Sequence, residues 1–187
     1  MVPIRVEAGG VEAPEPVTLA EMRLYLRLDP DDASEDALVA SLIAAARASL
    51  EAETRRLLKP ARFRVVLAAW PRDRRIALPL SPLVGIVRLG LAGPDGAVET
   101  LESGLLRPGP DPVEAPCLAV DPAAPEPGGR TILIEVAAGY GGDGPALPEP
   151  LRLAILRLAA ARYEHRGDEA DPSDPAGLAA PFRRLRL

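Results

Sequence analysis

The chain has 187 residues and a formal net charge of -5, with 22 Lys and Arg against 27 Asp and Glu. This mild acidity argues against a dedicated nucleic-acid-binding protein, which would carry a dense basic face to neutralise phosphates. The length supports one domain with a substantial hydrophobic core, with room for a subdomain. The single cysteine, Cys117, excludes an internal disulfide.

No stretch of the sequence indicates secretion or a membrane. The N-terminus lacks a basic start followed by an apolar core, and no apolar run approaches the roughly 20 residues of a membrane-spanning helix. We therefore expect a soluble, intracellular product.

The N-terminal part is predicted to be an arm followed by a short helix. Residues 1–16 contain three prolines and two glycines, which is typical of an extended or mobile segment. A helix is expected over Thr18–Leu28, because Thr18 and Glu21 have the spacing of a capping box. An acidic loop follows it.

The strongest feature is a long helix predicted over Ser34–Leu58. This stretch has no proline or glycine and is rich in Ala, Leu, Glu and Arg, which are strong helix formers. Acidic residues precede it, Arg55 and Arg56 lie near its end, and Pro60 stops it. Residues spaced by three and four are predicted to form its buried stripe. They are Leu38, Leu42, Ala45, Ala46, Ser49, Leu50 and Leu57.

Residues 61–144 are predicted to form an inserted β-rich subdomain, because apolar and polar side chains alternate in several short runs. Asp95-Gly96 is predicted to be a hairpin turn. The proline-rich segment 103–129 is expected to be an irregular loop, with room only for a short strand at Cys117–Val120 and no central strand, since proline lacks the N–H donor. The other expected strands are Phe63–Leu67, Arg75–Leu78, Val84–Leu91, Ala97–Leu101 and Thr131–Ala137.

The last part is predicted to be a helix over Pro148–Arg166, with a proline in its first turn. This helix and the N-terminal ones are expected to pack together, because only they can bury the stripe. The prediction is therefore an α+β fold, a helical bundle of N-terminal and C-terminal helices with an inserted small antiparallel β-sheet subdomain. Its parts are an arm at 1–16, one helical core made of 17–60 and 145–187, and the insert at 61–144.

Few residue patterns indicate catalysis. Gly139, Gly141 and Gly144 match GxGxxG after a predicted strand, but the prolines that follow delay the helix, and a dinucleotide-binding turn must open a helix inside a βαβ unit. We therefore expect a connection between sheet and helix, against the rival hypothesis of a nucleotide-dependent enzyme. No G-x-S-x-G elbow occurs.

Metal binding has equally little support. His165, the only histidine, stands at a predicted helix end, where a polarisable ring is favourable without catalysis. One histidine and one cysteine cannot form a zinc set, and the acidic loop Asp168–Asp174 lacks the pattern of an EF-hand. We predict no catalytic residue, no metal site, no cofactor and no enzymatic activity.

The C-terminal tail alternates apolar and basic residues. Termini fray unless something holds them, so two interpretations stay open: the tail folds back on its own helices, or it inserts into a partner with aromatic and arginine anchors. Its candidate binding residues are Phe182, Arg183, Arg184, Leu185, Arg186 and Leu187.

From Val17 onward the order of segments resembles the head-tail connector, or adaptor, proteins of long-tailed bacteriophages and gene transfer agents. Two features depart from the family: the long helix ends without the usual aromatic and glycine, and the loop Arg107–Gly129 is rich in proline. The segments that carry the resemblance are VTLAEMRLYLRLD, SEDALVASLIAAARASLEAETRRLL, FRVVL, the GYG turn, LPEPLRLAILRLAAARYEHRG and APFRRLRL.

This resemblance implies a structural protein of the particle neck, between head and tail, made in the bacterial cytoplasm. Its subunits would form a ring, commonly of twelve, beneath the portal protein, extend a channel through which double-stranded DNA passes without sequence-specific binding, and carry the stopper and tail. The tail would engage the portal. Helix faces left after the core is filled are candidate contacts between subunits in a closed ring. Their residues are Arg47, Glu51, Arg55, Arg152 and Arg157.

The alternative is a small regulatory or nucleic-acid-binding module that uses the basic C-terminal tail. It predicts salt-dependent binding to duplex DNA.

Overall fold

A computed structural model of the chain describes residues 3–6, 13–166 and 177–184. The chain divides into two compact units. The first, here called the β unit, consists of Met1–Ala13 and Pro60–Pro145, and the second, the helical unit, consists of Pro14–Lys59 and Ala146–Leu187. The fold class is α+β, as predicted.

The helical unit contains helices α1 (Leu19–Leu26), α2 (Asp36–Thr54) and α3 (Glu149–Glu164) and a short 3-10 turn at Ala180–Phe182. Helix α2 contacts both α1 and α3, so the helices near the two ends of the sequence share one core, as expected. The buried side chains of this core come from all three helices. They include Met22, Val39, Ile43, Ala46, Leu50, Leu151, Ala154, Ile155, Leu158 and Ala159.

The buried stripe of α2 differs from the predicted one. Leu50 and Ala46 are fully buried, but Val39 and Ile43 take the places expected for Leu38 and Leu42. Leu38 is 40% exposed. The helix is so rich in Ala and Leu that a stripe shifted by one residue fits the same periodicity. The β-branched residues mark the side that is actually packed.

Helix α2 also ends earlier than predicted, at Thr54 and not at Leu58. Arg55 adopts the left-handed conformation, with φ at 56°, and donates its N–H to the Glu51 carbonyl at 2.8 Å. The Leu58 N–H turns to the side chain of Glu51, at 2.8 Å from Oε1. Leu58 is buried, so tertiary contacts outweigh the helical preference of the last residues.

The β unit has two antiparallel sheets. The larger has the order β1-β2-β8-β4-β5, and the smaller has the order β3-β7-β6. A 3-10 turn at Ser103–Leu105 precedes β6. The strands are β1 (Ile4–Val6), β2 (Ala61–Leu67), β3 (Arg75–Ala77), β4 (Leu83–Ala92), β5 (Val98–Leu101), β6 (Leu106–Pro108), β7 (Cys117–Val120) and β8 (Thr131–Ala138).

Strand alternation sorts the large sheet into a buried and an open face. Phe63 and Val65 on β2 and Ile132, Ile134 and Val136 on β8 are buried, and the register pairs Val65 with Ile134. The side chains between them lie on the open face, as the period of two requires. The predicted hairpin is confirmed: β4 pairs with β5 around Gly96, whose φ is 81°.

The proline-rich segment is more regular than predicted. It contributes β6 and β7, and β7 is the central strand of the small sheet, which corrects the expectation that no central strand could form there. The strand Cys117–Val120 contains no proline, and Pro116 stands just before it, where its carbonyl accepts the Leu78 N–H at 2.9 Å. A proline that stands outside a strand does not remove any N–H donor from the hydrogen bonds between strands.

No helix among the described residues is long and apolar enough to cross a membrane.

The packing of α2 can be tested with two leucines of the same helix. Leu50→Ala removes a fully buried side chain and should lower the free energy of unfolding by about 2–5 kcal/mol. Leu38→Ala, at an exposed position, should change it by less than about 0.5 kcal/mol. Urea unfolding followed by the helical circular dichroism signal measures both. Equal effects at the two positions would contradict the assignment of the buried stripe.

Candidate functional site: the C-terminal segment on the end of helix α2

The end of α2 contains buried polar groups that need partners. Thr54 and Arg56 are almost completely buried. The Thr54 hydroxyl donates to the Leu50 carbonyl at 2.7 Å. Because Thr54 is the last residue of α2, its carbonyl has no N–H donor within the helix. Buried polar groups of this kind are costly unless they form hydrogen bonds.

The C-terminal segment, here Gly177–Arg184, supplies those partners. The Arg184 N–H donates to the Thr54 carbonyl at 3.1 Å, and the Arg56 Nε donates to the Phe182 carbonyl at 2.7 Å. The Arg183 guanidinium pairs with Glu53, with Nε at 2.9 Å from Oε1. The segment therefore closes the C-terminal end of α2 mainly through its backbone.

The structure assigns different environments to the residues of the predicted tail. Phe182 and Arg184 are half-buried, and Arg183 is exposed beside Glu53. The other three candidate residues, Leu185, Arg186 and Leu187, lie outside the described residues. So do the acidic loop residues Asp168 to Asp174 that were weighed as calcium ligands. Phe182–Arg184 thus fold back on the helical unit of their own subunit.

A cluster of four charged residues lies along α2 near this end, here called the Glu15 cluster: Glu15, Arg47, Glu51 and Lys59. Arg47 donates to Glu15 at 2.6 Å and to Glu51 at 2.7 Å, and the Lys59 ammonium donates to Glu15 at 2.9 Å. Burial raises the pKa of the Glu15 carboxyl, but the hydrogen bonds from Arg47 and Lys59 outweigh it and leave the pKa below its usual value. The cluster joins the start and the end of the chain segment Pro14–Lys59.

The opposite end of α2 is tied to α3. The Glu35 carboxylate accepts hydrogen bonds from the Tyr163 hydroxyl and from Arg166 Nη1, the latter at 2.7 Å. Hydrogen bonding by Tyr163 and then by Arg166 lowers the pKa of Glu35. Arg166 also lies over the Tyr163 ring, at 4.5 Å from its centroid. His165 is exposed at the C-terminal end of α3. This is the helix end predicted from the sequence.

The residues predicted to form contacts between subunits fall into two groups. Arg47 and Glu51 belong to the Glu15 cluster, and Arg152 pairs with Glu21 of the same chain. Arg55 and Arg157 are exposed. The sequence did not identify the Glu15 cluster or the acceptors Glu53 and Thr54, because nothing local marks which charged residues of a helix meet distant segments.

The remaining candidates from the sequence are the glycine motif at Gly139–Gly144 and possible metal ligands. Gly139 and Gly141 have positive φ and form a tight turn in which the Gly144 N–H donates to the Gly141 carbonyl at 3.0 Å. The turn follows an antiparallel strand, whereas a dinucleotide-binding turn belongs to a parallel βαβ unit. Among the described residues, no group of His, Cys, Asp and Glu could hold a metal ion.

Solved structures similar to this chain come from gene transfer agent (GTA) particles. A chain from the neck of an empty GTA particle, computed with C6 symmetry, is 31% identical with a TM-score of 0.80. A chain from the virion of a native GTA particle is 32% identical with a TM-score of 0.80, and one from the neck of a native particle, computed with C12 symmetry, is 30% identical with a TM-score of 0.76. Each comparison covers 100% of this chain and 97% of the other. No protein-family model and no curated protein matches the chain.

The Glu15 cluster predicts a pH dependence of stability. Because the pKa of Glu15 is lowered in the folded state, its contribution is present above the usual pKa of a glutamate and is lost as the pH falls through the lowered value. Glu15→Gln should lower the free energy of unfolding at neutral pH by about 1–3 kcal/mol. It should also flatten the fall in stability below about pH 5.

The matched control is Glu149→Gln, since Glu149 is 83% exposed and lies 3.9 Å from Arg152. Urea titrations over a pH series should give the control the wild-type pH profile. A Glu15→Gln profile parallel to that of the wild type would contradict the assigned role of the cluster.

Proposed function

This chain belongs to the head-tail connector family found in the necks of gene transfer agent particles, and on that premise we propose that its subunits form a ring of twelve beneath a portal protein. The observation that carries the proposal is similarity over the whole chain, at 31% identity and a TM-score of 0.80, to a chain of an assembled neck. We propose a structural role for the chain in this ring. The twelvefold symmetry of one of the similar necks supports the proposed subunit number.

The C-terminal tail, Phe182–Leu187, is proposed to bind the portal. Support comes from the way the described part of the tail is held: hydrogen bonds at Phe182 and Arg184 attach it to the end of α2. Because its first residues are already held, the terminal peptide loses less conformational entropy when it binds a partner, which favours affinity. The remaining residues, Leu185, Arg186 and Leu187, supply apolar and cationic groups suited to a partner surface.

Contacts between neighbouring subunits are proposed to include the helical unit. Of the candidate residues, Arg55 and Arg157 are exposed and free to meet a neighbour. Arg47, Glu51 and Arg152 form ion pairs within the subunit. We propose that these ion pairs fix the positions of the helix faces that contact the neighbour.

The ring is proposed to extend the DNA channel of the portal and to carry the stopper on its other side. A formal net charge of -5 suits a channel that duplex DNA must pass without sticking. The proposed role requires no catalysis, cofactor or metal.

The tail assignment predicts that removal of Leu185–Leu187 abolishes binding to the portal of the same particle while the chain stays folded. Those residues follow the docked segment, so the contacts of Phe182–Arg184 with α2 remain available. Co-purification with the portal measures binding, and thermal unfolding measures the fold.

Two further variants sharpen that experiment. Leu185→Ser with Leu187→Ser should weaken binding as the deletion does, while Arg72→Gln, an exposed substitution in the β unit, should leave portal binding intact. Undiminished binding by the truncated chain would refute the tail assignment.

The rival hypothesis of a nucleic-acid-binding module has a direct test. Titration of the purified chain with duplex DNA at low salt should give no binding, because Arg183 is paired with Glu53 and Arg56 with the Phe182 carbonyl. Affinity that falls steeply with added salt would instead support the rival.

A further inference from the structure

The large sheet has two open edges on opposite sides. In the order β1-β2-β8-β4-β5, strand β1 ends one side and β5 ends the other. Within the described parts of the chain, β1 pairs only with β2, and β5 pairs only with β4. Edge strands carry unused backbone donors and acceptors, so proteins either protect them or use them for association.

The two edges carry opposite charges. Strand β2, which pairs with β1, bears Arg62 and Arg64, and Arg64 pairs with Glu135 of β8 at 2.6 Å. Arg62 is exposed on the open face of the sheet. Arg62 therefore gives this side of the sheet an exposed positive charge.

The β5 side is predominantly acidic. Asp95 lies in the turn before the strand, Glu99 within it and Glu102 directly after it, and all three are exposed. The positive charges nearby are Arg130, which pairs with Glu99, and Arg88, which donates to the Thr100 hydroxyl at 3.1 Å.

Each edge also exposes an aliphatic side chain. Ile4 on β1 is 59% exposed and Val98 on β5 is 37% exposed. An exposed β-branched residue on an edge strand is unprotected apolar surface, which favours a contact that covers it.

We infer that the β5 edge of one subunit packs against the β1 edge of the next copy of this chain, so that the β unit contributes a lateral contact of the ring. This inference rests on the proposed function. A ring needs two different, complementary patches on opposite sides of one subunit, and the two edges of one sheet meet that requirement. Contacts between two β1 edges or two β5 edges would oppose like charges, which favours the head-to-tail arrangement over a closed dimer.

The test is a charge exchange at two exposed positions. Arg62→Glu and Glu102→Arg, each alone, should place like charges across the contact and reduce ring assembly about tenfold or more. Both substitutions in one chain should restore it. An equal mixture of the two single variants should also restore it, because alternating subunits then present opposite charges at every contact.

The control is Arg72→Glu, at an exposed arginine of the β unit outside the edge strands. It should assemble like the wild type, and unchanged melting temperatures should show that all variants fold. Assembly is read from purified particles made by cells in which the variant replaces the wild-type chain, as the amount of chain in the neck.

The two possible failures are distinguishable. A wild-type chain missing from the necks would overturn the proposed function. A wild-type chain present in the necks, with both single variants incorporated equally well, would overturn the edge contact and show that the edge charges only protect the strands.

Discussion

The structure of the helical unit depends on one constraint: helix α2 must bury a stripe that includes Ile43, Ala46 and Leu50. Among the described helices, α1 and α3 contact α2, and α3 begins only at Glu149, after the whole β-rich segment. Covering the stripe therefore brings distant segments together. Once α2 is packed, those distant segments lie next to its two ends. Their polar groups then form hydrogen bonds with polar groups at the ends of α2.

Those end contacts connect stability with the proposed function. At one end Glu35 binds the terminus of α3, and at the other Thr54 and Arg56 bind the backbone of the C-terminal segment. A subunit of a neck must present the same surfaces in every copy, and a tail attached by its backbone meets that requirement. The charged groups of α2 mostly form ion pairs within their own subunit. Among the described residues, β1 and β5 are the outer strands of the large sheet.

Much of the fold was predictable from local patterns. Composition and capping placed the three helices to within a few residues, and local patterns placed six of the strands, because these signals come from residues close together in sequence. The predictions were wrong where tertiary contacts decide which side chains are buried and where an element ends. Two stripes fit α2 equally well on periodicity, and Arg55 ends the helix although the residues after it favour helix. The short strand Cys117–Val120 is confirmed, but the prolines around it hid the neighbouring strand β6 and the central position of β7 in its sheet.

The candidate site was less predictable. The sequence identified the tail and its chemistry, since apolar and basic residues alternate over its last positions, and the order of segments indicated the connector family. It did not identify Glu53, Thr54 and Arg56 as the residues that bind Phe182–Arg184, nor the partners of Glu15 across 32 and 44 positions. The sequence by itself thus determined the elements and the family, because periodicity and capping act between near neighbours. Only the tertiary structure decided which charges pair and which of the described strands lie at the edges of the large sheet, because those depend on distances between residues far apart in the chain.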